Sequence, residues 1–230
     1  NIDHNVLREI MKGRISVDIF LRLIRKFLNA GYMEEWQFNK TYSGTPQGGI
    51  ISPILANIYL DKFDKYMDEY ANKFNKGTAR SRNKDICKLN SRVHYLKRRI
   101  NEVEDVNVRT RTVEELHEKQ KLILTMPSGN DMDVNFRRLK YVRYADDFLI
   151  GVIGTKNECE TIKADITKFM QEKLRLEMSQ EKTLITNAQD SAKFLGYEIY
   201  VRKDYATKRN SNGTVRRYFN GNVILHVSRE

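Results

Sequence analysis

Asp146 and Asp147 stand side by side in the stretch Tyr141-Val142-Arg143-Tyr144-Ala145-Asp146-Asp147-Phe148-Leu149-Ile150. The residues around them, 139–145 and 148–153, follow the two-residue period of strands, so the two carboxylates are expected at a tight hairpin turn. Like charges held this close repel, and each holds a proton more readily unless a cation lies between them. A divalent metal is the simplest such cation. Two Mg²⁺ ions about 3.5–4 Å apart clamp the attacking and leaving oxygens of a phosphoryl transfer. Mg²⁺ suits such a place because it combines a few carboxylates with substrate phosphates and rarely takes a full protein cage. An Asp-Asp pair alone is also a common exposed turn; the full Tyr-x-Asp-Asp between two β-type runs is the stronger signal.

A second stretch, Ser43-Gly44-Thr45-Pro46-Gln47-Gly48-Gly49-Ile50-Ile51-Ser52-Pro53, holds three glycines and two of the chain's three prolines. Glycines let backbone approach a base or sugar, and the free N–H groups of a helix start suit phosphate. The stretch lacks the lysine of a P-loop and the spacing of a dinucleotide-binding turn. An ordinary loop leading into a well-capped helix is the other reading.

The 230 residues carry a formal net charge of +11, unevenly spread. Residues 71–100 hold ten Lys/Arg against Asp85 alone, a net +9. Residues 201–230 hold seven against Asp204 and Glu230, a net +5, which leaves the remaining 170 residues at −3. Two basic blocks beside a near-neutral body point to a polyanion, most simply nucleic acid, with a solvated face as the alternative. Cys87 and Cys159 are too few for a disulfide scaffold and match no zinc spacing, so they read as free thiols in a reducing compartment. The mean hydropathy of −0.63 and the lack of an 18-residue apolar run exclude a membrane-spanning helix. No secretory pattern marks the first residues.

The elements that must position these residues follow from periodicity and capping. A first helix is expected over about 4–12. A second is expected from a Ser16 cap to Gly31, with Phe20, Leu23, Ile24, Phe27 and Leu28 on one stripe. Residues 33–42 read as extended. Ser52 and Pro53 look like a cap and first residue of a long amphipathic helix reaching Phe74. Ile86, Leu89, Val93, Leu96, Ile100 and Val103 alternate at spacings of three and four, a narrow seam suited to one partner helix. Thr112-x-x-Glu115 resembles a capping box, so an antiparallel helical pair is expected over about 83–125, its spare face open to the body or a second copy. Thr155-x-x-Glu158 caps another helix, and 174–178, 183–185, 194–201, 204–207 and 217–227 read as strands. The basic helical side chains Lys88, Arg92, Lys97, Arg98 and Arg99 are the candidate nucleic-acid contacts.

The Tyr-Ala-Asp-Asp hairpin together with the Gly-x-Pro-Gln-Gly-Gly-Ile-x-Ser-Pro loop resembles a reverse transcriptase. The wording resembles the group II intron-encoded reverse transcriptase/maturase of bacteria, as do Phe136-Arg137-Arg138-Leu139, Glu181-Lys182-Thr183 and Phe194-Leu195-Gly196-Tyr197. The likeness runs from residue 1 to about 201.

What the resemblance implies is an α+β fold, a right-hand polymerase palm with an antiparallel sheet backed by helices, plus a basic helical insertion. Residues 1–70 would supply finger and palm helices and the nucleotide-pocket loop, and 71–138 the insertion. Residues 139–201 would form the palm sheet with the primer grip, and 202–230 basic strands leading toward a thumb. Asp146 and Asp147 would be the catalytic, metal-binding aspartates. Gln47, Gly48 and Gly49, with Tyr144 and Ala145, would line the nucleotide and template pocket. Lys182 would act as a general acid toward the leaving pyrophosphate, although a surface lysine is an equal reading. Phe194, Leu195 and Gly196 would form the primer grip, or merely strand core. Arg143 has two readings, a nucleic-acid contact or a partner for an acid on the sheet. The partners implied are group II intron RNA, an RNA template, a DNA primer and dNTPs, with two Mg²⁺ ions as cofactors, a homodimer through 83–125 as an option, and a cytoplasmic setting. The family's third catalytic carboxylate lies on a strand before the stretch resembling Asn1-Ile2-Asp3-His4, and Asp3 reads as a helix cap, so these residues alone are expected to polymerise poorly. The alternatives are an RNA-binding maturase module without polymerase activity and a retron-type reverse transcriptase.

Overall fold

The computed structural model describes residues 2–34, 37–39, 50–203, 206–217 and 221–228. The first elements are α1 (His4–Lys12), α2 (Asp18–Asn29), β1 (Tyr32–Glu34), β2 (Gln37–Asn39) and α3 (Ser52–Phe74). Then come α4 (Lys84–Glu102), α5 (Val106–Thr125), β3 (Arg138–Tyr144), β4 (Asp147–Ile153) and α6 (Lys156–Leu174). The chain continues through β5 (Ala192–Phe194), β6 (Tyr197–Val201), β7 (Thr207–Arg209), β8 (Val215–Arg217) and β9 (Val223–Val227). It forms two compact units, one of Asn1–Asn75 with Arg138–Ile185 and one of Lys76–Arg137 with Thr186–Glu230. The mixture of helices and small antiparallel sheets agrees with the α+β expectation.

In the first unit Asp3 caps α1, its Oδ1 accepting from the backbone N–H groups of Asn5 at 2.8 Å and Val6 at 3.0 Å. The expected Ser16 cap is displaced: Val17 holds the cap position of α2 without a side-chain bond. The apolar stripe of α2 is also wider than the face that packs. Leu21, Ile24 and Leu28 are buried, while Phe20, Leu23 and Phe27 are exposed. Similarly Ile51 holds the cap position of α3, and Ser52 is the first helical residue with Pro53 in the first turn. Pro costs nothing there because its missing N–H would have no partner inside the helix.

The core of this unit lies where α3 and α6 meet the β3–β4 ladder. Phe63 is fully buried, with edge-on contacts to Tyr141 and Phe148 at 5.4 Å each between ring centroids. Tyr66 stacks on Phe169 of α6 at 3.9 Å. The Tyr59 hydroxyl, also buried, donates to the Leu174 carbonyl at the end of α6. The Thr155–Glu158 capping box forms as the sequence predicts. Residues 174–178 and 183–185, expected as strands, join no ladder. The alternation that suggested the first of them is real, since Leu174, Leu176 and Met178 all pack on the core. It arises where α6 ends, with Leu174 its last residue, Arg175 in a left-handed cap and Leu176 N–H donating back to the Met170 carbonyl.

In the second unit α4 and α5 form a helical hairpin linked by residues 103–105. All six seam residues of α4 and its C-cap are buried or half-buried. The expected start of α5 is wrong by seven residues. Asp105 is the cap, accepting from Asn107 and Val108, and Thr112 lies inside the helix with its hydroxyl donating to the Val108 carbonyl. A threonine hydroxyl can satisfy itself on the preceding turn, so a cap-like spacing does not require a cap. Glu115 instead pairs with Arg92 across the hairpin. Isolated antiparallel bridges, Lys76–Arg137 and Arg82–Gly129, close its base.

The strand expected over 194–201 is a hairpin. β5 and β6 meet at Leu195 (φ +51°) and Gly196 (φ +77°), and two positive-φ residues make the mirror-image turn that suits twisted strands. β9 extends this sheet by pairing antiparallel with β6. The strands expected over 204–207 and 217–227 become β7, β8 and β9, with β7 and β8 forming their own ladder; residues 204–205 and 218–220 lie outside the described ones. No helix among the described residues is long and apolar enough to cross a membrane.

Candidate functional site

β3 and β4 pair antiparallel in full register, from Arg138 opposite Ile153 to Tyr144 opposite Asp147. The turn therefore centres on Ala145 and Asp146, and Asp147 is the first residue of β4 rather than part of the turn. Ala145 takes φ +50°, a left-handed conformation that costs a residue with a Cβ and persists only where surroundings enforce it. Tyr144, Ala145, Asp146 and Asp147 are all exposed, so the carboxylates sit at an open tip above a buried aromatic base.

Arg143 enforces the turn. Its Nε and Nη2 donate to the two oxygens of Asp64 on α3, at 2.8 and 2.6 Å. Its Nη1 donates to the Ala145 carbonyl at 2.8 Å and to Asn57 Oδ1 at 3.2 Å. The Tyr141 hydroxyl, two residues back on the same strand face, donates to Asp64 Oδ1 at 2.8 Å. The Arg143 guanidinium beside Asp64 holds its carboxyl below the usual aspartate range despite partial burial. Burial, reinforced by the Asp64 carboxylate, pushes the Tyr141 phenol up. Of the two sequence readings for Arg143, the structure supports pairing with an acid, but that acid, Asp64, lies on α3 and not on the sheet. Asp64 and Asn57 escaped the sequence reading because polar residues on an amphipathic helix look solvated. Their seven-residue spacing, two turns on one face, was the available signal.

The other candidates fall in different places. Lys182 is exposed in a turn where Thr183 N–H donates to Ser179 O, and Lys163 of α6 holds the loop by donating to Thr183 O at 2.6 Å. Phe194, Leu195 and Gly196 form the β5–β6 hairpin tip in the second unit. On α4, Lys88, Lys97, Arg98 and Arg99 are exposed. Arg92 is engaged, forked onto Glu115 at 2.8 and 3.0 Å with its guanidinium 5.2 Å from the Tyr95 ring centre. Gln47, Gly48 and Gly49 lie outside the described residues.

Two adjacent aspartates offer the hard oxygen donors that Mg²⁺ prefers. Among the described residues no group of three His, Cys, Asp or Glu side chains gathers to hold a metal.

Residues 109–199 match the family model for reverse transcriptase (RNA-dependent DNA polymerase), a span that includes the aspartate hairpin. The chain is 41% identical over 227 residues to the group II intron-encoded protein LtrA of Lactococcus lactis subsp. cremoris, covering 99% of this chain and 37% of that protein. It is 38% identical over 221 residues to a protein of COX1/OXI3 intron 1 in Saccharomyces cerevisiae, covering 94% of this chain and 25% of that one. A nuclear intron maturase 2 of Arabidopsis thaliana matches at 26% over 161 residues, 70% of this chain and 18% of that protein. The chain spans between a quarter and a little over a third of the length of the first two of these relatives. With the Tyr-Ala-Asp-Asp turn in place between two core-packed strands, the chain carries a reverse transcriptase segment over residues 109–199 and is similar over nearly its whole length to group II intron-encoded proteins.

Proposed function

We propose that this chain carries the nucleotidyl-transfer centre of an RNA-directed DNA polymerase encoded by a group II intron. The observation that carries the reading is the exposed Asp146-Asp147 pair at a turn between two strands that each pack one face on the core through Leu139, Tyr141, Phe148, Ile150 and Val152. In this reading a primer 3′-hydroxyl attacks the α-phosphate of a dNTP and pyrophosphate leaves. Asp146 and Asp147 hold the divalent metal, which when bound neutralises phosphate charge and eases loss of the hydroxyl proton. The exposed Lys182 ammonium donates a proton to the departing pyrophosphate. Tyr144 and Ala145, with Gln47, Gly48 and Gly49, border the nucleotide and template. The Leu195-Gly196 turn, with Phe194, presents backbone to the primer end. In role, residues 1–70 and 139–201 serve as fingers and palm, 71–138 as the basic insertion, and 202–230 as the path toward a thumb. The partners are an RNA template, a DNA primer, dNTPs and the intron RNA, and the setting is the cytoplasm of a bacterium.

The test is primer extension by the protein as its gene encodes it. Asp146→Asn is expected to abolish extension and spare RNA binding; extension at the wild-type rate by that variant rejects the reading.

A second role, gripping intron RNA as a maturase does, is favoured by the exposed basic side chains of α4. Arg92 is committed to Glu115 and Arg99 donates to the Tyr95 hydroxyl, so the reading rests chiefly on the exposed Lys88, Lys97 and Arg98. Replacing Lys97, Arg98 and Arg99 with Glu should weaken RNA binding, the salt slope falling by about one for each phosphate no longer neutralised. Unchanged binding rejects α4 as the RNA-binding face. A homodimer through 83–125 would have to use the outer faces of α4 and α5, because the α4 seam is turned toward α5. Sedimentation showing only monomer at high concentration removes it.

A further inference from the structure

We infer that Arg143 is a positioning residue for the aspartate pair, tying the Ala145–Asp146 peptide to α3 through Asp64 and Asn57 so that both carboxylates keep one geometry for metal. The inference rests on the polymerase reading of the hairpin and adds three residues to it.

The geometry is specific to a guanidinium. Three nitrogens of Arg143 are used at once: two grip Asp64 and the third is shared by the Ala145 carbonyl and Asn57. The Ala145 carbonyl belongs to the same rigid peptide plane as the Asp146 N–H, so fixing one fixes the direction in which Asp146 leaves the turn. A two-residue turn on an exposed tip has few other restraints, and Ala145 sits at φ +50°, which it would leave if released. Asp64 is itself steadied by the Tyr141 hydroxyl, and Tyr141 packs edge-on against the buried Phe63. The restraint thus runs from the aromatic core to the tip. The Arg143 side chain is only 11% exposed and its charge is matched by Asp64, so it is poorly placed to meet a phosphate. A lysine would keep the charge but could not reproduce the fork together with the third bond.

The test uses the protein as its gene encodes it, bound to an RNA template and DNA primer, with Mn²⁺ as the probe. Mn²⁺ affinity is read by electron paramagnetic resonance, with Asp146→Asn setting the floor. Primer extension separately gives kcat and the KM for dNTP. Arg143→Lys is expected to lower Mn²⁺ affinity and kcat about 10- to 100-fold, as loss of a partner behind a metal ligand does. The KM for dNTP, template–primer affinity and melting temperature should stay near wild type. If Arg143→Lys does not fold, Asn57→Ala is read instead; it leaves the Asp64 fork and should lose the same two quantities in smaller measure. A folded variant with wild-type Mn²⁺ affinity and kcat overturns the inference. So does a parallel fall in metal affinity, template–primer affinity and melting temperature, which a purely structural role would produce. A wild type that binds Mn²⁺ at Asp146 but extends no primer rejects the polymerase reading, while the metal affinity of Arg143→Lys still decides the positioning role.

Discussion

Phe63→Ala is expected to be the most damaging single truncation beneath the aspartate hairpin. Phe63 is fully buried, and its ring meets Tyr141 of β3 and Phe148 of β4 edge-on at 5.4 Å, with Phe169 of α6 at 6.4 Å. Truncating a buried Phe costs about 3–5 kcal/mol through lost transfer energy and the cavity left behind. Two well-placed edge contacts, each worth about 0.5–1.5 kcal/mol beyond area, put this site in the upper part of that range. That is a large share of the roughly 5–15 kcal/mol that holds a typical domain folded. Phe63→Leu keeps most of the bulk but loses the ring geometry, and about 1–2 kcal/mol is expected. Urea unfolding of the intact protein gives the global loss, and hydrogen exchange at β3 and β4 amides gives the local one. Because both strands rest on this ring, their amides should lose protection ahead of those in α4 and α5. A Phe63→Ala loss below about 1 kcal/mol, or equal loss of protection in α4 and α5, would refute this account of the core.

Other outcomes follow from single contacts. Asp64 titrates below the ordinary aspartate range because Arg143 holds it ionised. Its contribution to stability is therefore fully present above the unfolded-state pKa and is lost as pH falls through the lower folded value; Asp64→Asn should flatten the acid limb of the unfolding curve there. Gly77→Ala would place a Cβ 2.5 Å from the Asn135 carbonyl oxygen at φ +71°, whereas Gly196→Ala at φ +77° meets open space. Melting temperatures should show the first losing clearly more than the second, whose cost is only the left-handed backbone, about 1 kcal/mol. Burial pushes the Cys159 thiol up, so at neutral pH a thiol reagent should modify exposed Cys87 first and Cys159 only slowly. Comparable rates at the two would contradict the packing of α6.

Short-range signals made much of this protein legible before its structure. The two-period alternation on either side of Asp146-Asp147 placed a hairpin there, because side-chain direction in a strand is set by the backbone itself. The Thr155–Glu158 box and the three-four spacing of α4 were read correctly for the same reason: each is satisfied within one or two turns of the chain. Local signals failed where several residues could meet one local need. Asp105 outcompeted Thr112 as the cap of α5; α2 instead starts at Val17 with no side-chain cap, although Ser16 stood next to it.

By itself, then, the sequence determined the aspartate pair, the turn that carries it, the basic helix and the likeness to group II intron-encoded proteins. Only the tertiary structure decided what Arg143 does. Its partners Asp64 and Asn57 lie 79 and 86 residues away, on a helix whose rotation against β3 is set by the packing of Phe63, Tyr141 and Phe148. Tertiary packing likewise turned the α4 seam toward α5 and left Lys88, Lys97 and Arg98 facing solvent. Caps and periods are energies of neighbouring residues. A forked ion pair depends on the register between distant elements, and that register exists only once the core has closed.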